Sequence, residues 1–155
     1  GADAATSPAA GQLRIDGTLD AAGERGGRIE LHARDQVLLG GEARLEAGAR
    51  LAGEAGGDVL LSARVHEAAA SRPALDGIVV TAGARVDVSA ATAADAGTVT
   101  LRSARIGDDV AIAPLPSFAP GARREIVEGV VLATATGNLA LSPTGAATAA
   151  NPLPG

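Results

Sequence analysis

The sequence lacks several residue types on which common protein chemistries depend. Among its 155 residues there is no cysteine, methionine, tryptophan or tyrosine, and there is a single phenylalanine, Phe118. Without cysteine the chain can form no disulfide, no thiolate nucleophile and no cysteine-ligated zinc or iron–sulfur site. All thirteen basic residues are arginines, which excludes a phosphate-binding loop with its lysine and a Schiff-base lysine.

The charge balance and the shortage of aromatic residues exclude further classes of partner. The net charge is -5 and aromatic residues are 1% of the chain, so phosphate neutralisation and base stacking are both poorly supplied. We therefore expect no nucleic-acid partner. The longest uncharged run, residues 129–155, contains three prolines and several glycines, so we also expect no membrane insertion. Nothing near the start resembles a signal peptide, and the chain is interpreted as an internal fragment.

A short phrase recurs along the chain. Its template is Gly-x-apolar-x-Leu-x-small, and it stands at residues 26–33, 56–63 and 96–103. A second phrase precedes each copy, at residues 17–21, 48–52 and 82–88. Together they predict a two-strand unit that is used three times.

The apolar residues within these phrases alternate with polar ones. Ile29, Leu31 and Ala33 alternate with charged or polar neighbours, which is the period of a β-strand and not of a helix. The same period predicts core-facing pairs or triplets elsewhere: Leu13/Ile15, Val37/Leu39, Ala43/Leu45/Ala47, Val86/Val88 and Val99/Leu101. Helix is disfavoured because glycines interrupt nearly every stretch of helical length.

These features predict an all-β fold, a right-handed parallel β-helix with two loop insertions. Successive coils would bury small aliphatic residues in a narrow core, and we expect about 20 to 25 residues per coil and roughly four or five coils. The predicted organisation is a linker or disordered stretch at 1–10, coils at 11–112 with an insertion at 64–76, a Pro-rich insertion at 113–121, terminal strands at 122–142, and a linker or disordered stretch at 143–155.

Residues 11–137 resemble the filamentous-haemagglutinin-like exoproteins, the secreted partners of bacterial two-partner secretion systems. The likeness rests on the GGxIxLxA phrases and on the ordered run GTVTLRSARIGDDVAIAPL from Gly97 to Leu115. The resemblance implies a β-helical shaft, export through an outer-membrane transporter that acts on the parent protein, and a secreted or cell-surface location. It also implies a role in adhesion, with host-cell or matrix glycans or proteins as partners. It implies no active site, and the chain departs from the commoner pattern in being poor in asparagine and aromatic residues.

Few residues suggest a site of their own. Phe118 beside Arg123 and Arg124 is a candidate surface contact, although a hydrophobic plug over the coil is an alternative use for the ring. His32 is expected on an outward strand position, and His66 with Glu67 is expected in a solvated loop. We predict no catalytic residues, no cofactor and no metal site; Asp108 and Asp109 are interpreted as a turn or cap.

Three functions are consistent with the sequence. The preferred one is a non-enzymatic structural and adhesive shaft segment of a large secreted bacterial surface protein. A fragment of a polysaccharide-acting β-helical enzyme is the alternative, with Asp58, Asp87 and Arg85 as candidates by residue type alone. A pure spacer with no ligand is the third.

Overall fold

A computed structural model describes residues 11–63, 77–106, 109–112 and 121–130. This part of the chain is all-β and contains no helix. Its strands are β1 (Gln12–Ile15), β2 (Thr18–Asp20), β3 (Arg28–Ala33), β4 (Gln36–Leu39), β5 (Arg44–Glu46), β6 (Asp58–Ala63), β7 (Gly77–Val80), β8 (Arg85–Asp87), β9 (Thr98–Ile106), β10 (Asp109–Val110) and β11 (Arg124–Val130).

The strands form three sheets, and the chain visits the sheets in the same order each time. The first sheet has the order β1-β4-β7, the second β2-β5-β8, and the third β3-β6-β9, with β11 also paired to β9. All of these pairings are parallel. The only antiparallel pair in the described chain joins β10 to the end of β9. We call one passage through the three sheets a circuit; the described residues contain three complete circuits.

The recurring phrase occupies equivalent positions in the third sheet. Arg28 pairs with Asp58 and Asp58 with Thr98, so the three copies of the phrase lie side by side in register. Directly opposed residues of a parallel pair face the same side of a sheet, so equivalent residues of the three copies form columns that face either the core or the outside. The prediction that the phrase is a structural repeat is confirmed.

The core lies between the three sheets and is aliphatic. Most residues predicted to face the core are buried, at positions 29, 31, 37, 39, 43, 45, 47, 86, 88, 99 and 101. Leu13, Ile15 and Ala33 are partly buried and pack against the same cluster. In the third sheet the core columns are Ile29–Val59–Val99 and Leu31–Leu61–Leu101. The predicted strand alternation is confirmed at these positions.

Glycine allows the circuits to approach one another where the third sheet begins. A Cβ atom on Gly57 would lie 1.9 Å from the carbonyl oxygen of Gly27 and 2.4 Å from that of Ala47. On Gly97 it would lie 1.6 Å from the carbonyl oxygen of Gly57. Because the obstructing atoms belong to the backbone, no side-chain movement could relieve these contacts. The glycine of the phrase is thus a packing requirement.

The predicted two-strand unit is wrong, because each circuit contains three strands. The segment 48–52 is not a strand: it belongs to the turn from the second sheet to the third, and Leu51 is 51% exposed. The strand that pairs with β2 is Arg44–Glu46. Residues 48–50 have the same sequence, Gly-Ala-Arg, as residues 83–85. The core at this level is nevertheless filled by the alternating residues Ala43, Leu45 and Ala47.

The predicted coil length of about 20 to 25 residues holds for one step of the first sheet and not for the next, and the described residues contain three circuits where four or five coils were predicted. Equivalent residues of the first sheet are 24 apart between Gln12 and Gln36, but 41 apart between Gln36 and Gly77. The longer step includes residues 64–76, the predicted insertion, which lie outside the described residues. Residues 113–120 lie outside them as well, and of the predicted terminal strands at 122–142 only β11 is described.

Candidate functional site

The outer face of the third sheet carries polar side chains that are aligned between circuits. Strand alternation directs every second residue of β3, β6, β9 and β11 away from the core. Pairing in register then stacks these outward residues into columns: Arg28–Asp58–Thr98–Arg124, Glu30–Leu60–Thr100–Ile126 and His32–Ser62–Arg102–Glu128. Residues far apart in the chain thus meet on one surface.

A groove of about 300 Å³ runs across this face. We call it the outer groove; its polar lining is Arg28, Asp58, Thr98, Thr100, Arg102 and Glu128, and its apolar lining is Leu60 and Val59. The lining residues lie on β3, β6 and β9, one strand from each circuit, and on β11. A rigid parallel ladder therefore sets the spacing of the groove's charges and hydroxyl groups.

Two groups of ions border the groove. Arg102 Nε lies 2.7 Å from Glu128 Oε2 and donates a hydrogen bond to it, and this pair joins β9 to β11. On β3, Glu30 forms an ion pair with Arg28, and His32 Nε2 lies 3.5 Å from Glu30 Oε2. The hydrogen bond from Arg28, together with its charge and a smaller contribution from His32, lowers the pKa of Glu30. The carboxylate of Glu30 is therefore protonated at a lower pH than that of an unpaired glutamate.

The chemistry of the groove suits a ligand with many hydroxyl groups. Guanidinium groups donate hydrogen bonds, carboxylates accept them, and threonine hydroxyls do both. Mixed donors and acceptors on a firm surface can bind a polyol chain, and the arginines can also pair with a carboxylate on it. Within the described residues no group of three or more His, Asp or Glu side chains could hold a metal ion.

The predicted contact residues are only partly described. Phe118 lies outside the described residues. Arg123 and Arg124 are both exposed; the backbone N–H of Arg123 donates to the carbonyl of Gly97 at 2.9 Å, and Arg124 opens β11 opposite Thr98. Arg124 therefore extends the outward column that contains Arg28 and Asp58, at the border of the outer groove.

The residues considered for an enzymatic site lie on two sheets. Asp58 is on β6 of the third sheet, whereas Arg85 and Asp87 are on β8 of the second. The Oδ1 atom of Asp87 accepts a hydrogen bond of 2.8 Å from the backbone N–H of Ser89, which is a local turn contact. The structure does not bring these three residues to one face.

The remaining singled-out residues have simple surroundings. The His32 side chain is 57% exposed, as predicted for an outward position. Asp109 is the first residue of β10, and it pairs with Ile106 of β9. His66, Glu67 and Asp108 lie outside the described residues.

Contacts between circuits that the sequence analysis missed hold the other two sheets together. The side-chain amide of Gln12 donates to that of the buried Gln36, a two-residue glutamine ladder in the first sheet. Arg50 Nη2 donates to Asp20 Oδ2 at 3.0 Å, and Arg44 Nη1 donates to the carbonyl of Gly83 at 2.9 Å. Aligning the three circuits in register would have revealed the first of these.

Neither a family model, nor a curated protein, nor a solved structure matches this chain. Across the described residues no helix is long and apolar enough to cross a membrane.

Proposed function

We propose that the chain is a structural and adhesive shaft segment of a large secreted bacterial surface protein of the filamentous haemagglutinin type. Its fold in this proposal is a right-handed parallel β-helix in which each circuit is one coil. The observation that carries the proposal is the parallel stacking, in register, of three copies of one phrase in the third sheet. Right-handedness follows from the strong general preference of parallel crossover connections.

Stacked circuits suit a mechanical role. Each circuit bonds to its neighbours through the backbone and buries its small aliphatic residues against them, so a series of circuits makes a stiff rod. The outer face stays polar, and in a long parent protein weak contacts to a ligand on the host surface would be repeated. The proposed partners are host-cell or matrix glycans or proteins, and an outer-membrane transporter that exports the parent.

The outer groove is the proposed contact surface. Its arginines, carboxylates and threonines supply donors and acceptors on a firm support, which favours a glycan over an apolar ligand. Arg124 continues the same surface at the end of the stack.

Export is tested by fractionating the native organism with an antibody raised against this chain. A band far larger than 15 kDa in the supernatant or on the surface is the expected result. A band near 15 kDa confined to the cytoplasm would overturn the proposal.

Adhesion is tested by binding of the immobilised chain to host-cell and matrix glycans. Arg28→Ala and Arg102→Ala remove cations of the outer groove, and Arg85→Ala removes an exposed cation from the second sheet as the matched control. We expect the first two variants to weaken binding and the control to retain it. Absence of binding by the chain, with binding by the intact parent, would favour a pure spacer. Glycan cleavage that Asp58→Asn abolishes would favour the enzyme.

A further inference from the structure

The centre of the outer groove is formed by two residues of β6 and two of β9. Pairing in register places Asp58 opposite Thr98 and Leu60 opposite Thr100, and all four residues line the groove. We call these four residues the central patch. Strand geometry separates their Cα atoms by roughly 5 Å across the strands and roughly 7 Å along them. The patch is therefore comparable in area to one sugar ring.

The cations that line the groove already have carboxylate partners. Arg28 forms an ion pair with Glu30, and Arg102 donates a hydrogen bond of 2.7 Å to Glu128. An anionic group on a ligand would have to displace a protein carboxylate from either guanidinium group. Arg124, the exposed cation opposite Thr98, is not among the residues that line the groove. The groove thus offers an anion little uncompensated positive charge.

The central patch itself carries one carboxylate and two hydroxyl groups. Within the part of the chain that the structure describes, the carboxylate of Asp58 has no ion-pair or hydrogen-bond partner, and neither do the hydroxyl groups of Thr98 and Thr100. Asp58 is exposed, so a ligand can reach its carboxylate. A carboxylate only accepts hydrogen bonds, whereas a threonine hydroxyl both donates and accepts. The patch therefore suits sugar hydroxyls, which donate and accept, and it repels an anion.

Given the glycan-binding role proposed for the outer groove, we propose that its ligand is a neutral glycan and that Asp58 selects it. Two neighbouring hydroxyls of one sugar donate hydrogen bonds to the carboxylate of Asp58. The hydroxyl groups of Thr98 and Thr100 bind further hydroxyls of the ligand, and an apolar C–H face of the sugar contacts Leu60. Glycans with carboxylate or sulfate groups are disfavoured, because their charge is repelled by Asp58 and both lining arginines are occupied.

Binding of the full 155-residue chain to an array of host glycans tests this specificity. The array carries each glycan in a neutral and an acidic form: N-glycans with and without sialic acid, and poly-N-acetyllactosamine with and without sulfate. We expect stronger binding of the neutral forms. That binding should change little with salt, whereas binding of an acidic glycan through arginines would weaken as salt is added.

A substitution without change of size tests the role of Asp58. Asp58→Asn should weaken binding of the neutral forms about tenfold, because a hydrogen bond to a charged acceptor is replaced by one to a neutral acceptor. It should also reduce the discrimination against the acidic forms. Asp87→Asn is the matched control, since Asp87 is an exposed carboxylate on the second sheet and an amide oxygen can still accept the hydrogen bond from Ser89. Circular dichroism shows whether both variants are folded.

The failure of this inference can be distinguished from that of the adhesive function. Stronger binding of the acidic forms would overturn the inference and leave adhesion in place. So would binding of the neutral forms that is unchanged in folded Asp58→Asn protein. Binding of no glycan in either form would overturn the adhesive function and the inference together.

Discussion

The strands β3, β6 and β9 present matching apolar residues to the core, whereas β11 presents Glu125 and Val127 at the same positions of the same sheet. Backbone pairing is parallel and in register in both regions, so hydrogen bonding alone does not distinguish them. The difference lies in the side chains at the core positions, which are buried in β3, β6 and β9 but exposed in β11. In a stack of this kind, burial depends on the neighbouring circuits, and among the described strands β11 is paired on one side only, with β9.

The largest loss of stability is expected from substituting the glycines that let neighbouring circuits approach each other. Gly57→Ala forces a Cβ atom against two backbone carbonyls, which should destabilise the fold by about 3 kcal/mol or more. Gly17→Ala is the control, because a Cβ atom there would meet nothing within 4 Å. Urea unfolding followed by circular dichroism measures both, and an equal, small loss in the two variants would contradict the close approach.

The second-largest effect is expected from truncating a core side chain, which should cost far more stability in the first region than in β11. Leu61→Ala empties a fully buried position of the column Leu31–Leu61–Leu101 and should cost about 2–5 kcal/mol. Val127→Ala truncates the same column at its exposed end and should cost less than about 1 kcal/mol. The free energies of unfolding of the two variants test this prediction. Similar losses would mean that the side chain of Val127 is buried like that of Leu61.

The ion pair between β9 and β11 should contribute less. Arg102 and Glu128 are 44% and 41% exposed, so their coupling energy should be about 0.2–1 kcal/mol. A double-mutant cycle with Arg102→Gln and Glu128→Gln measures the coupling, which should shrink when salt is added. Coupling that is strong and insensitive to salt would show that this end of the sheet is shielded from solvent.

The smallest effect concerns pH at the first strand of the third sheet. Because Arg28 lowers the pKa of Glu30 in the folded protein, the ion pair stabilises the fold above the unfolded pKa of the carboxyl. That contribution is lost as pH falls through the folded pKa, in the acidic range below about 4.5.

The pH effect is measured by comparing native and Glu30→Gln protein in urea at a series of pH values. The native protein should be slightly more stable at neutral pH, and the difference should vanish in acid. Glu42→Gln, which alters an exposed carboxylate outside the described ion pairs, controls for the loss of charge. A difference between native and Glu30→Gln protein that is constant with pH would exclude the ion pair as its source.

The third sheet could be predicted from sequence because its phrase repeats with glycine, apolar and polar residues at fixed positions. Once the copies are aligned, even the column Arg28–Asp58–Thr98 of the candidate site follows. The second sheet could not be predicted in the same way. Its strands are three residues long, and the sequence Gly-Ala-Arg at 83–85 recurs at 48–50 outside any strand, whereas the residues that pair with β8 are Arg44–Glu46. Short strands carry too few positions for alternation to identify them.

The sequence by itself determined the all-β class, the aliphatic core and the repeat, because glycine spacing and alternation of period two are local properties of the chain. Only the tertiary structure decided that each circuit has three strands, that Arg102 meets Glu128, and that Gln12 meets Gln36. These contacts depend on the register between circuits, and the register changes with the length of each connection. A step of 24 residues and a step of 41 bring equivalent positions together equally well.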